Sequence, residues 1–78
     1  MALIRTFFHE PNNSSRVHSE VDCRVQLVTS ADGDRFIQLD TYGSDERKSE
    51  KKVSQSIQLD RTHARELVAI IEAVFPSS

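Results

Sequence analysis

Two phrases of this 78-residue chain end in the same four letters: Ile37-Gln38-Leu39-Asp40 and Ile57-Gln58-Leu59-Asp60. Carboxylates in equivalent positions are raw material for general acid–base chemistry when a fold brings them together. A hairpin folded near residue 48 instead sets Asp40 closer to Ser56 than to Asp60, and Asp60 stands where a helix needs a cap. Ser54 and Ser56 have no histidine in the strand pattern and no Gly-x-Ser-x-Gly elbow to expose a nucleophile. Gly33 and Gly43 are the only glycines, so no phosphate-cradling loop is present. His9, His18, His63 and Cys23 are the candidate metal ligands, but no pair has the close spacing of a zinc site. These residues predict neither an enzyme nor a metal protein, and they imply no cofactor.

A second set suits binding better. Phe36 and Tyr42 alternate with Gln38 and Asp40 along one strand face, which Arg24, Gln26, Ser54, Ser56 and Gln58 extend on the neighbouring strands. Aromatic rings on a hydrogen-bonding sheet can stack bases, while nearby Arg and Lys hold phosphates. Lys51 and Lys52 lead into the last strand, and Arg47 and Lys48 precede them in an interval diluted by Asp45, Glu46 and Glu50. Asp40, on the same face, works against an anionic ligand.

The positioning elements follow from periodicity. Residues 35–42 and 53–59 alternate with period two, as half-buried strands do. One hairpin register sets Ile37 opposite Leu59, Leu39 opposite Ile57 and Thr41 opposite Gln55, placing four large apolar side chains on one face. A slip by one residue would turn one strand's apolar set to solvent, so the register is well specified. Residues 21–29 form the preceding strand, with Cys23, Val25 and Leu27 inward, and Asp32-Gly33 marks the turn between them. Cys23 is expected to be a small core residue with a protonated thiol.

Residues 2–8 predict a first strand in which Phe7 and Phe8 cannot both face inward unless the strand bulges. The stretch 9–20, rich in Asn, Ser and Pro, reads as an exposed loop. Beyond Asp60, Ala64, Leu67, Val68, Ile71, Val74 and Phe75 recur at helical spacing, with Ile70 beside them, and Pro76 ends the run. A helix over about 61–75 is expected to cover the apolar sheet face. The expected fold is α+β: one domain over 1–78, a four-stranded antiparallel sheet in the order β-β-β-β-α, and one C-terminal helix on one face.

Ten basic and twelve acidic residues give a net charge of −2. That argues against a protein holding nucleic acid by bulk charge. A single cysteine excludes an intramolecular disulfide framework and fits a reducing compartment. No segment approaches the roughly 20 apolar residues of a membrane span, and the first ten residues lack a signal-peptide core. A soluble cytoplasmic protein without membrane contact is expected. A chain this short, with apolar residues on one sheet face and along one helix, also predicts a symmetric homodimer built around the helices.

The order β-β-β-β-α, a charged tip between the last two strands, and a basic pair leading into a strand of the form x-Ile-x-Leu-Asp before the helix resemble the positive-cofactor-four family. These are single-stranded-DNA-binding transcriptional coactivators with small bacterial relatives. The matching stretches are Phe36–Ser44, Lys51-Lys52, Ser56–Asp60 and Leu67–Ile71, within a resemblance spanning roughly Val21 to Phe75. The resemblance implies a dimer whose helices pack together and whose curved sheets bind single-stranded or melted duplex DNA, with single-stranded RNA as the alternative. Carried over by position, Lys51 and Lys52 match the family's basic residues, Phe36, Gln38 and Tyr42 its exposed third-strand positions, and Arg24 its second-strand position. The chain departs from the family in having Val53-Ser54-Gln55-Ser56 where a glycine is usual, and in its lower basic and aromatic content. A protein–protein interaction module on the same scaffold, without nucleic-acid binding, is the alternative.

Overall fold

A computed structural model describes residues 1–11, 14–43 and 52–77. The elements are β1 (Ala2–Leu3), β2 (Cys23–Thr29), β3 (Arg35–Tyr42), β4 (Val53–Leu59) and α1 (Arg61–Val74). They build one four-stranded sheet in the order β1-β4-β3-β2, with one C-terminal helix. The fold is α+β.

Alternation places the β3–β4 ladder in its expected register: Ile37 pairs with Leu59, Leu39 with Ile57 and Thr41 with Gln55. Beyond Thr41 the register shifts and Tyr42 pairs with Val53. A bulge of this kind adds a residue to one strand and sharpens its twist. The β2–β3 hairpin closes where Asp-Gly marks it. The N–H of Gly33 donates to the carbonyl of Ser30 at 3.0 Å, and Gly33 takes a φ of 89°, open to glycine without steric cost.

The first strand corrects the expectation of a purely antiparallel sheet. Only Ala2 and Leu3 form it, not residues 2–8, and it runs parallel to β4, with Ala2 opposite Ile57. Alternation says nothing about direction or edge, and the long connection before β2 is enough for the parallel placement. Past Leu3 the backbone N–H of Ile4 still donates to the Gln58 carbonyl, and the chain then runs towards the helix. There Phe7 packs against the His63 ring with centroids 6.2 Å apart, while Phe8 is exposed.

Asp60 caps α1. Its Oδ1 accepts from the backbone N–H of His63 at 2.8 Å and lies 2.7 Å from His63 Nδ1. The helix crosses β3 and β4. Its more covered stripe is His63, Leu67 and Ile70, whereas Val68, Ile71, Val74 and Phe75 are exposed. The apolar positions read as one face thus divide between two.

The expected burial of Ile37, Leu39, Ile57 and Leu59 beneath this helix is corrected too. Leu59, 5% exposed, is the one buried apolar side chain among the described residues. Leu39 is half-buried, and Ile37 and Ile57 are exposed. The helix packs on β3 and β4, and at about 10 Å across it covers little more than two strands, so the β2 side stays open. Cys23 lies on that side and is exposed rather than in a core.

Candidate functional site

The two faces of the sheet differ in how they meet solvent. On the face away from α1, β2, β3 and β4 align Arg24 with Asp40 and Asp40 with Ser56, and Gln26 with Gln38 and Gln38 with Gln58. Asp40, at the centre, has no solvent exposure. Its Oδ1 accepts from Ser56 Oγ at 2.5 Å and Gln38 Nε2 at 2.8 Å. Its Oδ2 accepts from Gln26 Nε2 at 2.7 Å, Arg24 Nε at 3.1 Å and a second Arg24 guanidinium nitrogen at 3.0 Å. Gln58 Nε2 extends the net by donating to Gln38 Oε1 at 2.8 Å. A buried carboxylate persists only when it is paired and hydrogen-bonded, and here both oxygens are saturated. The hydrogen bonds from Ser56 and then Gln38 hold its carboxyl well below the usual carboxylate range, Gln26 and Arg24 add to this, and burial opposes it.

This arrangement can anchor three strands, but it holds no acid–base pair. The partner of Asp40 is Ser56, with no histidine among its hydrogen-bond partners, and Asp60 sits at the helix cap. At that cap, hydrogen bonds from His63, backbone first and ring second, lower the Asp60 pKa. The His63 pKa is raised, chiefly by its hydrogen bond to Asp60, with lesser help from the Arg5 backbone carbonyl and the charge of Glu66. His63 is thereby a structural tie between the helix start and the N-terminal segment. Among the described residues no group of three or more His, Cys, Asp or Glu side chains could hold a metal ion.

The residues expected to bind nucleic acid are split by the fold. Arg24, Tyr42 and Lys52 gather at one end of the sheet. The Arg24 guanidinium lies 5.8 Å from the Tyr42 ring centre, and the Gly43 N–H donates to the Lys52 carbonyl. Phe36 is at the opposite end of β3, paired with Val28 and half-buried. Gln38 and Arg24 each direct donors to Asp40. Lys51 lies outside the described residues, as do Arg47 and Lys48.

The helix-side face is the other candidate. Val25 (62% exposed), Leu27 (64%), Ile37 and the helix residue Val68 (57%) border one open cleft between the β2–β3 hairpin and the start of α1. Arg35, Arg61 and Arg65 stand on its rim. Sequence periodicity selected every one of these apolar positions as core; their exposure was not legible there, because it depends on where the helix crosses. Among the described residues no helix is long and apolar enough to cross a membrane. Comparison with known proteins finds no matching family model, no matching curated protein and no matching solved structure.

Proposed function

We propose that this chain is a protein-interaction module that acts as a homodimer, its second copy meeting the exposed apolar strip on the β2 side of the helix-side face. The observation that carries this reading is the uncovered strip of Val25, Leu27, Ile37, Val68 and Ile71 beside a single buried apolar residue, Leu59, among the described residues. Exposed apolar strips of this kind mark association surfaces. The free thiol of Cys23 is compatible with a reducing cytoplasmic setting.

Sedimentation velocity at micromolar concentration tests this. A dimer is expected, and Leu27→Glu, on the exposed strip, should return it to a monomer with unchanged far-UV circular dichroism. A wild-type chain that is folded and monomeric overturns the reading.

A second reading, single-stranded nucleic-acid binding by a transcriptional-cofactor-like dimer, is favoured by one observation: Arg24, Tyr42 and Lys52 share one end of the sheet. One stacking ring and two cations suit a short stretch of strand. The commitment of Arg24 and Gln38 to Asp40 ranks it second.

A further inference from the structure

We infer that the dimer is built by antiparallel pairing of the open β2 edge with β2 of a second copy, joining the two sheets into one; this rests on the homodimer reading above. β2 is the outer strand of the order β1-β4-β3-β2, seven residues long and free of proline and lysine. An edge of that length, unbroken by a bulge or inward charge, is a template for another strand. Its hydrogen-bonding phase is set by β3. The Tyr42 N–H donates to the Asp22 carbonyl, and ladder bonds alternate, so Arg24, Gln26 and Val28 turn their main-chain groups towards β3. Cys23, Val25, Leu27 and Thr29 therefore turn theirs outward. Val25 and Leu27 also carry the exposed apolar side chains of the cleft.

The strand is complementary to itself. A two-fold axis at Gln26 overlays all of β2 on its copy, and each outward-facing residue meets another: Val25 with the partner's Leu27, Cys23 with the partner's Thr29. Apolar and β-branched pairs then line the helix side, where cross-strand contacts stabilise a sheet. Arg24 falls opposite the partner's Val28. Only the axis at Gln26 overlaps all seven residues of β2, and centring it on Arg24 would also set the two guanidinium groups against each other. The Gln26 axis is perpendicular to the sheet, so both helices lie on the same face of the joined sheet and run antiparallel. A foreign peptide would supply none of this symmetry.

Two variants of the full chain test it. Thr29→Cys, with native Cys23 kept, should give a covalent dimer on mild oxidation or with a short bismaleimide. Within one chain these positions are about 20 Å apart along the strand, too far for a disulfide. Thr29→Cys combined with Cys23→Ser should not cross-link. Val25→Pro keeps the ladder to β3, since the lost N–H points outward, but blocks the edge. It should weaken dimerisation at least roughly tenfold more than Val25→Ala. If the wild type is a dimer, yet the Thr29→Cys variant does not cross-link through Cys23 and Val25→Pro dimerises as well as Val25→Ala, edge pairing is overturned and the homodimer stands. A wild-type monomer overturns both.

Discussion

Ser56 Oγ donates to Asp40 Oδ1 at 2.5 Å across the β3–β4 ladder, and this contact contributes most to lowering the Asp40 pKa. It is a short, charge-assisted hydrogen bond at a site without solvent. Ser56→Ala should cost about 1.5–3 kcal/mol, the range for hydrogen bonds to charged groups. Asp40→Asn should lower Tm further, because its amide would turn a donor towards side chains that are themselves donors. Thermal denaturation of the two variants checks this ordering. An Asp40→Asn protein as stable as wild type would remove the structural role given to the network.

Acid stability should follow the same carboxylate. The folded pKa of Asp40 lies below its ordinary value of 3.8, so the unfolded chain binds the proton more readily. Stability from this group is therefore present above pH 3.8 and is lost as pH falls through the folded value. Asp60, also lowered, adds to the loss in the same direction. Tm measured from pH 6 to pH 2 should drop steeply, and Asp40→Asn should flatten that slope.

At the other end of the pH range His63 acts with the opposite sign. Its folded pKa is raised above 6.5, so its contribution is full below pH 6.5 and is lost as pH rises through the folded value. Between the two windows, protonated His63 and ionised Asp60 hold the helix start to the N-terminal segment. Wild type should lose stability between pH 6.5 and the folded value, and His63→Gln should not. An identical pH dependence for the two proteins would dismiss the tie.

Core truncations should report on assembly. Leu59→Ala should cost about 2–5 kcal/mol, as buried leucine truncations do. Leu27, exposed in the single chain, should tolerate Leu27→Ala with little change if the protein works as a monomer. In a dimer the same substitution should lower both Tm and its dependence on protein concentration. Denaturation at several concentrations separates these outcomes.

The nucleic-acid reading makes its own demand. Oligo-dT titrated at two salt concentrations should show affinity falling with a slope near about −0.7 per phosphate contacted. Lys51→Ala with Lys52→Ala should reduce that slope. An absence of salt-sensitive binding in wild type at low salt removes this reading and leaves the interaction module.

The sequence by itself determined what depends on neighbours along the chain or across one hairpin. Period-two alternation specified the pairing of Ile37 with Leu59 and Leu39 with Ile57, since any slip would reverse a strand's faces. Asp32-Gly33 marked the hairpin and Asp60 the helix start, because turn and cap chemistry are local. Tertiary structure decided the rest. Asp40 read as a solvent-facing acid, yet it is the most buried polar residue described, because four donor side chains on three strands converge on it in register. Sequence alone showed each of those donors as a free binding group. The direction of β1, the division of the helix stripe and the exposure of Val25, Leu27 and Cys23 all depend on where distant elements cross. Apolar periodicity says which side chains prefer burial; only the packed chain decides which of them it can bury.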